Sequence, residues 1–316
     1  MDYFDLHCDT AQIFLDDGES LATTKGHISL KQAERFSRYC QVFALFIHDS
    51  YHGKEAFDRY RLLQKSVARQ LEMFEQKLAH ITDAASMASA LNEHKTGVIL
   101  SVENGAALGG KLENLEEMAK DGVKFFTLTW FGENDLGYGS AAEDKGLKPF
   151  GKEVLQNLYE YDIIPDISHL SDKGVYDVFH DTCGALAATH SNARSVLPHF
   201  RNLTDEMIRE LAKRNGLIGL NLCEAFLKEE PAEASFEDIA RQIEYFWKLG
   251  AEDVLCFGSD FDGAKVPACI SGLNGISGLY SYLQKYGYPE QLLEKLFFGN
   301  AYAFFQRNWG KTTAKA

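Results

Sequence analysis

The chain has 316 residues, of which 45% are hydrophobic and 25% are charged, a composition typical of a folded globular protein rather than a disordered one. It carries 32 Lys and Arg against 46 Asp and Glu, which gives a formal net charge of −14 at pH 7. A surface this acidic repels phosphate backbones and anionic lipid headgroups, so neither nucleic-acid binding nor membrane-surface binding is expected.

The ends of the chain carry no recognisable targeting signal. The N-terminal MDYFDLHCDT lacks a basic segment followed by an apolar one, the C-terminal KTTAKA is polar, and no window of 18 residues is uninterruptedly apolar. We therefore expect a cytoplasmic protein. In a reducing compartment its six scattered cysteines are expected to be free thiols.

Short apolar runs alternate along the chain with longer amphipathic stretches. The predicted strands are Tyr3–Leu6, Cys40–Ile47, Gly97–Val102, Lys124–Thr129, Ile163–Ile167, Ala185–Thr189, Gly216–Leu222 and Val254–Gly258. The predicted helical stretches are Lys54–Asn92 (two helices), Leu112–Asp121, Lys148–Tyr159, Ser171–His180, Thr204–Arg214 and Phe236–Leu249. Strands alternating with helices are typical of a parallel sheet with crossover helices.

Eight such strands predict an α/β fold of the (β/α)8 TIM-barrel type, with an open doubly wound sheet as the alternative. No GxGxxG motif follows the first strand, which argues against a dinucleotide-binding domain. No linker or repeat interrupts the pattern, so residues 1–316 are interpreted as one domain. The segment Pro289–Asn308 is predicted to add C-terminal helix that closes the barrel bottom or forms a subunit contact.

Five predicted strands end in residues that commonly bind metals. The segments are DLHCDT at 5–10, SVENG at 101–105, DISH at 166–169, ATHS at 188–191 and GSDFDG at 258–263. Each has a simpler explanation alone, such as a turn or a helix cap. In a barrel, however, the carboxyl ends of the strands meet at one rim, and carboxylates gathered there repel one another unless a cation is present. The pattern therefore predicts a metal site.

The candidate ligands are His7, Asp9, Glu103, His169 and His190, which are enough for two ions if one carboxylate bridges them. Nitrogen and oxygen ligands without thiolate suit Zn²⁺, and Mn²⁺, Co²⁺ or Fe²⁺ are also compatible. Cys8 lies between His7 and Asp9, so its side chain is expected on the opposite face of the strand. A serine hydrolase is disfavoured because the chain has no GxSxG motif.

These motifs resemble those of the membrane (renal) dipeptidase family of zinc metallopeptidases, within the amidohydrolase superfamily. Besides the strand-end motifs, the resemblance includes LTW at 128–130, THSNAR at 189–194, PHFRNL at 198–203 and GN at 299–300. The motifs occur in the family's order across nearly the whole chain, and together they are highly specific.

The resemblance implies a role for each matching residue. His7 and Asp9 match ligands of a first zinc, Glu103 matches the bridging glutamate, and His169 and His190 match ligands of a second zinc. A further match makes Arg201 the residue that binds the substrate carboxylate, and another makes Asp260, rather than Asp262, the residue that handles the proton.

The chain departs from the family after its fourth predicted strand. Where many members carry a histidine that contacts the substrate or the developing oxyanion, this sequence has Trp130. Oxyanion stabilisation could then pass to Asn134, to a metal or to no group at all, and Trp130 could form a wall of the substrate pocket. Both residues are therefore candidates for substrate binding.

The resemblance implies hydrolysis of a dipeptide by a hydroxide shared between two metal ions. Asp260 acts as general base and then acid, the bridging Glu103 is the second catalytic residue, and a D-residue is tolerated at the C-terminal position. A homodimer is also implied, although no sequence feature indicates one. The alternatives are hydrolysis of an N-acyl amino acid, a lactam or a lactone at the same centre, or a non-catalytic binding barrel.

Overall fold

The computed structural model describes residues 1–229 and 233–309. Its strands are β1 Tyr3–Cys8, β2 Tyr39–Phe46, β3 Leu78–His80, β4 Thr96–Glu103, β5 Val123–Thr127, β6 Ile164–Asp166, β7 Ala187–Ala188, β8 Leu217–Leu220 and β9 Leu255–Phe257. Nearly every strand residue is buried, because parallel strands with helices outside and side chains inside have no face toward water.

Helices follow most strands. They are α1 Thr10–Gln12, α2 Leu30–Ala33, α3 Gly53–Met73, α4 Ala84–Asn92, α5 Asn114–Lys120, α6 Pro149–Glu160, α7 Asp172–Asp181, α8 Asp205–Lys213, α9 Glu224–Leu227, α10 Phe236–Lys248, α11 Leu273–Lys285, α12 Glu290–Glu294 and α13 Asn300–Trp309. Short π-helical segments span Ile13–Asp17 and Lys295–Gly299, and a 3₁₀ turn spans Gly105–Leu108.

The strands close into a parallel barrel. The ring runs β1, β2, β4, β5, β6, β7, β8, β9 and back to β1, where Asp5 pairs with Phe257. The prediction of a single-domain (β/α)8 barrel is confirmed. The ring also brings all strand carboxyl ends to one mouth, which is where the candidate ligands lie.

One predicted segment is wrong in detail. The stretch Lys54–Asn92 is not two helices alone, because β3 lies between α3 and α4 and pairs in parallel with the start of β4. The run Leu78–His80 is too short to show a strand period in the sequence. Five of the eight predicted strands are also longer than observed, because residues at one or both of their ends belong to loops.

The opposite end of the barrel is closed by the C-terminal helices. Phe298, Phe304, Phe305 and Trp309 pack in one buried cluster with interior residues of the barrel, including Phe4. This finding agrees with the prediction that Pro289–Asn308 closes the bottom. Among residues 1–229 and 233–309, no helix combines the length and apolarity needed to cross a membrane.

Candidate metal centre

Five candidate ligands meet at the barrel mouth, positioned by the ends of four strands or the loops that follow them. His7 lies in β1 and Asp9 directly follows it, Glu103 is the last residue of β4, and His169 and His190 follow β6 and β7. All five are at most 5% exposed. The strand-end pattern in the sequence thus reflects a true convergence in space.

His7 and Asp9 are two residues apart, so strand alternation places their side chains on one face and that of Cys8 on the other. The pairing of β1 with β2 shifts between Asp5 and Cys8. Cys8 packs in the apolar layer between strands and helices, whereas His7 Nε2 lies 3.5 Å from Asp9 Oδ2 at the mouth. Cys8 therefore points away from the other two side chains, as the sequence predicted.

Glu103 lies between two groups of ligands, and each of its oxygens faces one group. Oε2 lies 3.3 Å from His7 Nε2. Oε1 lies 3.1 Å from His169 Nε2 and 3.7 Å from His190 Nε2. This is the geometry expected of a carboxylate shared by two ions.

The candidate ligand atoms cluster closely, but they do not all satisfy one another with hydrogen bonds. His7 Nε2 is buried and makes no hydrogen bond within the described part of the chain. Ligand atoms of His7, Glu103 and His190 lie within 4.8 Å of one another, as do those of His7, Asp9 and Asp260. A set of nitrogen and oxygen ligand atoms of this kind suits Zn²⁺. A buried ring nitrogen without a hydrogen-bond partner can give its lone pair to such a cation.

The first group consists of His7 and Asp9, which lie with Glu103 in a buried cluster of charged side chains. Burial alone would lower the pKa of His7, but the carboxylates of Glu103 and Asp9 outweigh it and raise that pKa well above its usual value. Burial and the charge of Asp9 raise the pKa of Glu103 to about 8. Clustered buried acids of this kind gain most from a cation.

The second group consists of His169 and His190, and burial favours the neutral form of both imidazoles. Burial, with the charges of Arg201 and His7, lowers the pKa of His169 well below its usual value. Burial, with His7, His169 and Arg201, does the same to His190. A metal binds the neutral form of imidazole, so these pKa shifts favour the form that coordination needs.

Asp260 follows β9 in a left-handed conformation, with φ 63°. Asn221 Nδ2 donates to its Oδ2 at 3.0 Å. Burial, together with the nearby charge of Asp9, raises its pKa despite the opposing charge of His7. A Cβ on Gly263 would lie 1.9 Å from Asp9 Oδ2 and 2.8 Å from Asp260 Oδ1, so the turn after β9 needs glycine to admit both carboxylates.

Arg201 is 4% exposed and forms no ion pair with any described acidic residue. Its Nη2 donates to the carbonyl oxygen of His190 at 3.0 Å, and its guanidinium lies 5.4 Å from the ring centre of Phe226. Its Nε is buried without a hydrogen-bond partner among the described residues. A buried cation in this state is suited to an anionic ligand.

A cavity of about 380 Å³ opens over the centre. Its lining residues are Asp9, Gln12, Phe46, Glu103, Trp130, Phe131, His169, Cys223, Phe226, Asp260, Asp262, Gly263 and Ala264. Trp130 packs edge-on against Phe46, with ring centres 4.8 Å apart. The sequence proposed Trp130 as a pocket wall, and its side chain lies in that position.

Asn134 does not line this cavity, and its amide is fully used by the protein. Its Nδ2 donates to Asn104 Oδ1 and to the carbonyl of Leu128, each at 2.8 Å. Its Oδ1 accepts from the backbone N–H groups of Leu136 and Gly137. With two donors and two acceptors engaged, Asn134 has no group left for substrate. The expectation of oxyanion stabilisation is replaced by a role in loop folding.

Several residues at the barrel mouth were not predicted from the sequence. Asn221 was included inside the predicted run Gly216–Leu222, although β8 ends at Leu220 and Asn221 already belongs to the mouth. With the strand end placed at Leu220, Asn221 would have been recognised as a polar residue at the barrel mouth. No sequence signal distinguishes the apolar Phe46, Phe131 and Phe226 from core residues.

Comparison with known proteins agrees with this geometry. The model of the membrane dipeptidase family, peptidase family M19, matches residues 1–313. A dipeptidase named tcpJ from Claviceps purpurea is 24% identical over 268 residues, which cover 80% of this chain and 61% of that protein.

Solved structures are similar over almost the full length. The metallopeptidase described as dipeptidase AC has a TM-score of 0.92 and 26% identity, with 98% of this chain and 99% of that chain covered. A metallopeptidase from Rhodobacter sphaeroides, liganded with a phosphinate mimic of the dipeptide L-Ala-D-Ala, has a TM-score of 0.92 and 25% identity, with the same coverage.

Proposed function

The chain belongs to the membrane dipeptidase family of metallopeptidases, and from this premise we propose that it hydrolyses dipeptides at a centre of two zinc ions. His7 and Asp9 would hold one ion, His169 and His190 the other, and Glu103 both. The observation that carries the proposal is the position of Glu103, whose oxygens lie 3.3 Å from His7 Nε2 and 3.1 Å from His169 Nε2. Mn²⁺, Co²⁺ or Fe²⁺ would satisfy the same donors.

Bound zinc supplies Lewis-acid chemistry, since it polarises a carbonyl and acidifies water. The chain's residues supply the proton transfer. Asp260 lines the cavity, and Asn221 holds its Oδ2. Its Oδ1 is then the atom that takes a proton from water and passes it to the leaving amine.

Arg201 would bind the C-terminal carboxylate of the substrate. It is the buried guanidinium described above, without an acidic partner in the described chain. Two N–H groups of a guanidinium match the two oxygens of a carboxylate. Fixing that carboxylate at one distance from the metal centre limits the substrate to very short peptides.

Trp130 would contact the N-terminal residue of the dipeptide. Trp130 follows β5, which lies across the ring from β9 and three strands from β8. Phe226 follows β8 and lies beside Arg201. A substrate held by its carboxylate near Phe226 therefore extends toward Trp130.

A D-residue at the C-terminal position is part of the proposal. It is supported by the ligand of the Rhodobacter sphaeroides structure, a mimic of L-Ala-D-Ala. The test is amino-acid release from matched L-L and L-D dipeptides, with and without a chelator. The proposal requires cleavage of dipeptides that stops with chelator and returns with Zn²⁺. Cleavage of N-acyl amino acids, lactams or lactones instead of dipeptides would contradict it.

A further inference from the structure

Behind the metal centre lies a buried chain of polar groups that leads from a carboxylate to His190. Asp166, the last residue of β6, is 0% exposed, and Thr189, just after β7, is 1% exposed. Thr189 Oγ1 lies 2.6 Å from Asp166 Oδ2 and 2.9 Å from His190 Nδ1. The hydroxyl thus stands between the carboxylate and the far side of the ligand ring.

All the acceptor positions of Asp166 are used. Its Oδ1 accepts from the backbone N–H groups of Ser168 and Thr189, both at 2.9 Å. Its Oδ2 accepts from the hydroxyls of Thr127 and Thr189, both at 2.6 Å. A carboxylate has no proton to donate, so each of these four partners must be a donor.

The hydrogen bonds from Asp166 through Thr189 to His190 determine which ring nitrogen of His190 carries the proton. A threonine hydroxyl has one proton, and the proton of Thr189 is given to Asp166. At 2.9 Å from His190 Nδ1, its oxygen can only accept, so Nδ1 carries the imidazole proton. A neutral imidazole has one N–H, and Nε2 is then left with its lone pair facing Glu103 and His169.

We propose that Asp166 and Thr189 are positioning residues that hold His190 in the tautomer able to bind metal through Nε2. This inference rests on the proposed function only in assigning His190 as a ligand. Outer hydrogen bonds of this kind orient a ligand ring and raise its basicity.

His169 shows that this support is specific to one ligand. Its Nδ1 is buried and makes no hydrogen bond within residues 1–229 and 233–309. The two histidines are therefore held differently: a protein hydroxyl holds Nδ1 of His190, whereas Nδ1 of His169 has no such partner among the described residues.

The variants Thr189→Val and Thr127→Val form a matched pair. Each removes one buried hydroxyl that donates to Asp166 Oδ2 at 2.6 Å, and only the first also removes the contact with His190. Thr189→Ser keeps the hydroxyl and serves as the rescue variant.

Two measurements test the inference. The first is ¹⁵N NMR of the histidine rings in the metal-free protein, with His190 assigned from His190→Gln. We expect the Nδ1–H form in the unchanged chain, in Thr127→Val and in Thr189→Ser, and its loss in Thr189→Val. An Nε2–H form of His190 in the unchanged chain would overturn the inference, whatever metal the protein binds.

The second measurement is Zn²⁺ affinity by competition with a chelator. We expect Thr189→Val to weaken binding roughly 10- to 100-fold, while Thr127→Val and Thr189→Ser stay close to the unchanged chain. Equal affinities in the two valine variants would overturn the positioning role. Failure of the unchanged chain to bind Zn²⁺ would instead contradict the proposed function, and the NMR result would still decide the tautomer.

Discussion

The Nε2 atoms of His169 and His190 lie 2.8 Å apart at the mouth of the barrel. Burial and nearby positive charge lower the pKa of both rings, so both are neutral near pH 7. Two neutral imidazoles at this distance need either a shared proton or a cation, and Glu103 Oε1 lies 3.1 Å from one of them. This arrangement supports the proposal that both rings are metal ligands.

Replacement of Arg201 tests the carboxylate anchor. We expect Arg201→Met to lower kcat/KM for dipeptides roughly 30-fold or more, mainly through KM, because the substrate loses a buried charged partner. Dipeptide amides, which lack the carboxylate, should be poor substrates of the unchanged chain and should be little affected by the substitution.

The matched control is Arg194→Met. Arg194 belongs to the same loop between β7 and α8, but it pairs with Asp172 at 2.6 and 2.7 Å. A loss of dipeptide activity as large as that of Arg201→Met would mean that the loop fold, not carboxylate binding, is responsible.

Asp260 and Asp262 separate proton transfer from loop support. We expect Asp260→Asn to reduce kcat roughly 10²- to 10⁴-fold with little change in KM, because the amide cannot take the proton. Asp262 instead accepts from the His27 backbone N–H and from Thr10 Oγ1, both at 2.6 Å. Asp262→Asn should therefore reduce stability more than kcat. The opposite ranking of kcat values would assign the proton transfer to Asp262.

Trp130 should determine how well the enzyme takes apolar N-terminal residues. Its ring packs against Phe46 and Phe131, with centres 4.8 and 4.9 Å apart. We expect Trp130→Ala to raise KM roughly tenfold for dipeptides with a large apolar N-terminal residue and much less for those beginning with Gly. A uniform change for all dipeptides, measured across one series of substrates, would argue against a side-chain subsite.

His80 links stability to pH away from the site. Burial, and then the charge of Lys124, lowers its pKa. Below about pH 6.5 the His80 imidazole is protonated in the unfolded chain but stays neutral in the folded chain. Protonation therefore favours unfolding, so the stability that neutral His80 allows is present above that pH and is lost as the pH falls. In denaturant titrations at pH 7.5 and 5.5, His80→Gln should lose less stability than the unchanged chain. Exposed His52, changed to Gln, is the control, and equal losses in the unchanged chain and His80→Gln would contradict the assignment.

Some features of the fold and the site could be predicted from the sequence, and others could not. The barrel and the convergence of the candidate ligands could be predicted because a strand period and a polar residue at its end are local signals, as at Glu103. The strand Leu78–His80 could not, because three residues carry no period. The role of Asn134 depends on partners at Asn104 and Leu128, which only the folded loop brings together.

The same limit applies to the groups behind the ligands. Asp166 and Thr189 read as ordinary strand residues, and their link to His190 depends on β6 and β7 lying side by side, where Asp166 pairs with Ala187.

Metal content per chain tests the central claim most directly. The purified protein is stripped with a chelator, titrated with Zn²⁺, and analysed for bound metal alongside Glu103→Gln, which keeps the shape of the bridging side chain but removes its charge. We predict close to two ions per chain in the unchanged protein, as two-metal hydrolases require, and fewer in the variant. Saturation of the unchanged protein at one ion or none would contradict the two-metal centre.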